Sequence, residues 1–271
     1  MCKINAPLCI LNTNMIATAL VRTYNHPSYE DPYEAVQDYN RVVEAAAKHP
    51  NKGSTALSGI VELPRSRIRG WVDEDGMPDA ARGLMVAKRH GWIKPGTDTN
   101  EALAVLTGHL LGGGSITVEN YVPSVAVGRR VSVDDIEAVF RDVGVRPTRR
   151  HEDAVSRATE VLPAIHGSVL GRTLAAWGCP VGGRAAIETV PSIVDRVGKD
   201  GQAAFLDAYV RHRAVDYPNK ATTRLHGRQP AAFHQAIAEL IQQVTGEHAS
   251  AGETAVTVSA DAMRALNLVE T

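Results

Sequence analysis

The sequence predicts an α+β protein: an N-terminal helical helix-turn-helix domain followed by a duplicated α-β-β-α-β-β-α arrangement. Three observations carry this. Capped segments of helical period fill residues 15–95 with no strand-like run. Alternating, β-like runs begin only after the glycine triplet Gly112 to Gly114. A helix bearing a strip of small residues recurs after roughly 100 residues.

Composition sets the outer bounds. The chain has 271 residues, enough for two or three domains, with 44% hydrophobic and 22% charged residues, as in ordinary globular proteins. Net charge is −1, so bulk electrostatics singles out neither nucleic acid nor membrane. The cations are skewed, 22 Arg against 7 Lys. Arginine carries the planar fork that grips phosphates and guanine edges, although a GC-rich coding bias gives the same skew. Cys2, Cys9 and Cys179 form no CxxC pair, which fits a reducing, cytoplasmic interior and argues against structural zinc. No run of about 18 apolar residues stands out as a membrane span. Residues 1–14 read as a disordered leader, with Met15 an alternative start.

In "DPYEAVQDYNRVVEAAAKH", Asp31 is the N-cap and Pro32 the first helical residue. Tyr33, Val36, Tyr39, Val42, Val43 and Ala46 share one face. "STALSGIVEL" begins with Ser54 as cap, and "PRSRIRGWVDEDG" runs from Pro64 to Gly76. "PDAARGLMVAKRHGW" opens on Pro78 and ends near Gly91. The second and third helices are joined at Glu62 to Pro64, the short turn of a helix-turn-helix. Arg65, Ser66, Arg67 and Arg69 would then stand near the start of the recognition helix, with Ile68, Trp71 and Val72 facing the core. Lys52 and Ser54 would meet the nucleic-acid backbone at the N-terminus of the helix before it.

Residues 96–100, "GTDTN", read as a linker ending in a helix cap at Thr99 or Asn100. In the next helix Ala104, Gly108 and Gly112 recur every fourth residue, a strip that lets another backbone come close. "SITVE" and "SVAVGRR" follow as strands, with Ile116 and Val118 inward and Ser115, Thr117 and Glu119 outward. Then come a helix capped by Ser132, strands "VRPTRRH" and "SRATEVL", and helix "AIHGSVLGRTLAAWG". "QAAFLDAYVRHRAVDY" repeats the strip with Ala204, Ala208 and His212. "ATTRLHG", "PAAFHQAIAELIQQVTG", "EHAS", "ETAVTVS" and "ADAMRALNLV" complete a second copy in which one strand is hard to see. The copies divide as 101–180 and 181–271.

With "LAVLTGHLLGGGSI" and "AIETVPSIVDRVGKDGQAAFLDAY", the region from about 97 to 269 resembles the LAGLIDADG homing endonucleases. The resemblance implies a saddle: two motif helices at the centre, and two four-stranded sheets over the DNA major groove. In that family each motif helix ends in an acid before a final glycine, and the two acids hold the metals that activate water. The matching positions here are Gly113 and Arg213, which supply no carboxylate. Asp216 and Glu119 are the nearest acids, and neither stands at the motif's place. A helix-turn-helix joined to an acid-less saddle is similar in its parts to the WhiA-type bacterial regulators, with the domain order reversed.

These features imply a non-catalytic, sequence-specific double-stranded DNA-binding protein. It would be a transcription regulator, nucleoid-associated, monomeric with an internal pseudo-twofold, and without cofactor or metal. Phosphate neutralisation would give its affinity and strand side chains its specificity. The candidate DNA contacts on the saddle are Thr117, Arg129, Arg130, Arg146, Thr148, Arg149, Arg150, Arg157, Arg224 and Arg228, with His151, Lys220 and His226 beside them. His109, His166, His212 and His234 read as packing or capping residues. The alternative is an active nuclease that uses Asp216 as a displaced acid. A non-DNA interaction module is a third reading. GxSxG and P-loop motifs are missing, and "LLGGGS" follows no strand as a dinucleotide fingerprint would.

Overall fold

A computed structural model describes residues 15–94, 98–217 and 219–266. The leader read over 1–14, with Cys2 and Cys9, lies outside the described residues, as do residues 96 and 97 of the linker. The chain forms two compact units, Met1–Arg89 and His90–Thr271. The class is mixed α+β with two small antiparallel sheets. Among the described residues no helix is long and apolar enough to cross a membrane.

The first unit holds α1 (Met15–Arg22), α2 (Pro32–Lys48), α3 (Ser54–Val61), α4 (Arg65–Val72) and α5 (Asp79–Arg89). Asp31 caps α2 by accepting from the Tyr33 N–H at 3.0 Å, and Pro32 sits at the first helical position. Glu62 closes α3 in the left-handed region, so the chain reverses within Glu62 to Pro64 as the spacing predicts. Val42, Leu57, Val61, Leu63, Ile68 and Val72 form one apolar cluster between α2, α3 and α4. Each fully buried Leu or Ile there contributes about 1.5–3 kcal/mol.

Two local expectations change. Ser54 is not the cap of α3: Gly53 occupies that position, and the Ser54 N–H and hydroxyl donate to Asp73 at 3.1 and 2.6 Å. Asp73, just past the end of α4, thus satisfies an orphan donor of α3 and ties the two helices. α4 stops at Val72 instead of running on to Gly76: Asp75 turns left-handed at φ 52°, and the Gly76 N–H donates back to the Gly70 carbonyl at 2.8 Å.

The helical part read as 15–95 meets the second unit earlier, at His90. Trp92 is fully buried there, its Nε1 donating to the Val143 carbonyl at 2.8 Å, and Trp177 Nε1 donates to the Trp92 carbonyl at 2.9 Å. α6 spans Asp98–Gly113, so residues 98–100 are helical, not linker. β1 (Gly114–Ile116), β2 (Pro123–Ala126), α7 (Val133–Asp142), β3 (Pro147–Arg150), β4 (Glu160–Pro163) and α8 (Gly167–Ala176) follow. After two 3₁₀ turns, Arg184–Ala186 and Val194–Arg196, the same order returns. It runs α9 (Lys199–Arg213), β5 (Ala214–Asp216), β6 (Thr222–His226), α10 (Ala231–Thr245), β7 (Ala249–Ala251), β8 (Ala255–Ser259) and α11 (Ala260–Ala265).

The sheets have corresponding strand orders, β1-β2-β4-β3 and β5-β6-β8-β7. The strand that the sequence hides is β5, three residues that leave α9 without a break and pair Ala214 with Leu225. Helices cover one face of each sheet, α6, α7 and α8 on the first and α9, α10 and α11 on the second. Val125, Val161, Leu225, Val256 and Val258 point to those helices and are fully buried. Val118, expected inward, is 62% exposed. β1 ends at Ile116 because the Thr117 hydroxyl accepts from the Val122 N–H at 2.9 Å and turns the chain.

α6 and α9 pack along their small-residue strips. A Cβ on Gly108 would stand 2.4 Å from the Phe205 carbonyl oxygen and 3.0 Å from the Ala208 Cβ. Gly108→Val should therefore lower stability by about 1–3 kcal/mol in urea unfolding, the usual cost of overpacking. Gly59→Ala, in α3 with nothing within 4 Å of the new methyl, should instead leave stability unchanged or raise it by up to ~1 kcal/mol.

Candidate functional site

The glycine triplet is explained by what stands opposite it. A Cβ on Gly112 would lie 2.8 Å from the His212 Cβ, and one on Gly113 would lie 2.2 Å from His212 Nδ1. One on Gly114 would lie 2.5 Å from the Ser124 carbonyl oxygen. The imidazole of α9 thus fills the space that a side chain at 113 would need.

That imidazole has a partner. His109 Nδ1 and His212 Nε2 are 3.0 Å apart with rings edge-on, so one neutral ring donates N–H to the lone pair of the other. Burial holds both below the ordinary histidine value, His109 at about 4 and His212 at about 3. For His109 the Arg211 charge adds to burial while Asp135 opposes it. For His212 the additions come from His109, Arg213 and Arg184. His166 occupies the cap position of α8 with φ 58°, and buried His234 donates from Nδ1 to the Gly252 carbonyl at 3.1 Å.

Two arginines close the C-terminus of α6. Arg184 Nη1 donates to the Gly112 carbonyl at 2.9 Å and to that of Leu111 at 3.4 Å, and Arg213 Nη2 donates to Leu111 at 3.4 Å. The helix end carries about half a negative charge, which favours cations there. Arg184 is placed by the loop before it. Gly182, at φ +78°, donates its N–H to the Ile116 carbonyl at 2.7 Å and stitches this loop to the end of β1. Gly113, Arg184, Arg213, Arg228, Gln229, Ser115 and Glu160 line one cavity of about 530 Å³.

The predicted DNA contacts divide by location. On α4, Arg65, Ser66 and Arg69 are exposed. Arg65 Nε reaches the Ser54 hydroxyl at 3.3 Å, and Arg69 lies 3.5 Å from Glu74. Arg67 lies over the Tyr29 ring at 4.7 Å and so faces its own unit. Lys52 is exposed before α3, but Ser54 is 2% exposed and spent on Asp73, so it is not open to a nucleic acid. Thr117 is spent on its turn.

On the first sheet, register places Thr148 and Arg150 opposite Leu162 and Glu160, on the face away from the helices. Arg150 is paired there with Glu160. Arg149 pairs with Val161 and so belongs to the helix side, where its Nε donates to Glu137 of α7 at 2.6 Å and its Nη1 lies 3.4 Å from Glu152. That removes it from the open face. Arg130 pairs with Asp216 of β5, while Arg129, Arg146 and Arg157 are exposed in the loops. Arg224, paired in register with Val215 and Thr257, stands on the open face of the second sheet beside His226, whose Nε2 is 3.2 Å from the Tyr217 hydroxyl. Arg228 is exposed at the rim of the cavity. Lys220 lies 5.7 Å from the Tyr217 ring.

Sequence reasoning missed Arg184, Gln229 and Asp73. The "VGGRAA" stretch does show two glycines before an arginine, the only local hint of a shaped loop. Asp216 accepts from the Thr223 hydroxyl at 2.9 Å as well as from Arg130. Among the described residues no group of three or more His, Cys, Asp or Glu side chains could hold a metal ion. Buried Cys179 has its thiol pushed up to about 12 by burial, with Thr107 Oγ1 3.6 Å away. The chain matches no protein-family model and no curated protein sequence.

The histidine pair sets a pH dependence. Free imidazoles titrate near 6.5, so between 6.5 and about 4 the unfolded chain binds protons that the folded chain refuses. Stability from this pair is complete above pH 6.5 and is lost as pH falls through about 4 for His109 and toward about 3 for His212. Urea midpoints should drop between about pH 7.5 and about pH 5, and the double variant His109→Asn, His212→Asn should flatten that slope.

Proposed function

We propose that the chain is a non-catalytic, sequence-specific double-stranded DNA-binding protein that acts as a transcription regulator. In this reading α3 and α4 are a helix-turn-helix, and the second unit is a duplicated saddle of the LAGLIDADG type stripped of its acids. One observation carries it: two strip-bearing helices pack under paired four-stranded sheets, and their junction holds Gly113, His212, Arg184 and Arg213 in place of carboxylates. Hard divalent cations require oxygen ligands, and two guanidiniums at that point disfavour them.

The open sheet faces support the reading further. They present Thr148, Arg150 and Arg224, and the loops add Arg129, Arg146 and Arg157. On the helical unit Arg65, Ser66 and Arg69 are the exposed candidates at the start of α4. Two DNA-reading modules on one chain raise effective concentration at a composite site. The nuclease reading would have to free Asp216 from both Arg130 and Thr223. We take the protein to be a monomer.

Selection from a random duplex library, followed by anisotropy titrations, tests this. Arg65→Ala should cost ~1–3 kcal/mol at one base position, as loss of a base-reading arginine does. Arg224→Ala should weaken binding to all duplexes and lower the salt slope by about one. Selected duplexes should stay uncut in Mg²⁺ or Mn²⁺. Cutting that Asp216→Ala abolishes would establish the nuclease instead, and a library with no enriched duplex would reject both.

A further inference from the structure

We propose that the cavity at the end of α6 is an anion site that holds one phosphate group between Arg184, Arg213 and Arg228. This goes beyond the DNA-binding reading and does not need it, because the argument concerns the charge inside one cavity.

Three guanidiniums line a space of about 530 Å³ with a single carboxylate, that of Glu160, which is already paired with Arg150. Among the described residues none of the three arginines has a carboxylate within ion-pair distance. Arg184 and Arg213 are both half-buried. Burial pushes both guanidiniums below their ordinary values, and for Arg184 the charge of Arg213 adds to it. The groups offsetting this charge are the carbonyls of Leu111 and Gly112. A helix end supplies about half an elementary charge, whereas at least two cations face each other here. A bound anion of charge near −2 closes that difference.

The donors are also in surplus. A guanidinium has five N–H groups, and the α6 carbonyls take one nitrogen of each of Arg184 and Arg213. Arg213 Nε is buried with no partner, and so are Gln229 Oε1 and the hydroxyl of Tyr209, which feels both arginines. Gln229 is 4% exposed and lines the cavity, its Nε2 lying 3.5 Å from the Leu111 carbonyl. A phosphate offers several acceptor oxygens in a compact group, which suits the forked donors of three arginines lining one cavity. The volume leaves room for an organic portion beyond the phosphate.

The phosphate could arrive on a small ester or as part of a DNA backbone, and one experiment separates these. Binding of inorganic phosphate to the full chain is measured by calorimetry and by thermal shift, against chloride at equal ionic strength. Phosphate should raise Tm and bind saturably. Arg184→Gln should weaken it roughly tenfold or more, the weight of one hydrogen bond to a charged group. Because Arg184→Gln also uncaps α6, exposed Arg228→Gln serves as the second variant; it should keep the parent fold and weaken phosphate by a similar factor. Equal response to chloride and phosphate, or unchanged phosphate binding in both variants, overturns the site. If phosphate competes with a selected duplex, the ligand is backbone phosphate. If duplex affinity is unaffected while phosphate binds, the ligand is a separate phosphate ester. Phosphate binding without any duplex binding would retain this site and reject the DNA-binding proposal.

Discussion

The approach of α6 to α9 is the contact on which the second unit turns. At Gly108 the two backbones come so near that even a methyl group would meet the Phe205 carbonyl. Such proximity is reached only where side chains are removed, and the chain removes them in a row: Ala104, Gly108, Gly112 and Gly113. The space saved at the end of the row goes to His212. Each strand pair then leaves its helix directly, β1 from α6 and β5 from α9, so the helix contact fixes where both sheets begin.

Charge at that junction follows from the same geometry. α6 ends with bare carbonyls at Leu111 and Gly112 because β1 starts at once and leaves no turn to cap them. Arg184 and Arg213 supply the missing donors. The result is an arginine-lined, partly desolvated cavity beside a neutral histidine pair. The accumulation of guanidiniums at this point is a consequence of how the helix is capped.

Much of the fold was legible because its determinants are local. Asp31 and Pro32 start α2, Ser132 starts α7 with a capping box to Asp135, and Glu62 to Pro64 turn the chain between two short helices. Periodicity found the strips on α6 and α9. The parts that escaped depend on partners distant in sequence. Ser54 looked like a cap until Asp73 was placed against it from the far end of α4. Val118 looked inward because alternation was carried past a turn that Thr117 enforces. β5 has three residues, too few for any period, and exists because β6 offers it a ladder.

The candidate site separates along the same line. The sequence by itself determined that a glycine triplet ends one helix, that a histidine and an arginine end its counterpart, and that Gly113 and Arg213 stand at matched spacing, since these are facts of residue identity. Only tertiary structure decided that Arg149 faces α7 while Arg150 faces outward, that Arg67 packs on Tyr29, and that Arg184 arrives from a separate loop to share a cavity with Arg213. Strand register and loop closure make those choices. Both are settled by hydrogen bonds and close packing between segments many residues apart, which no local pattern encodes.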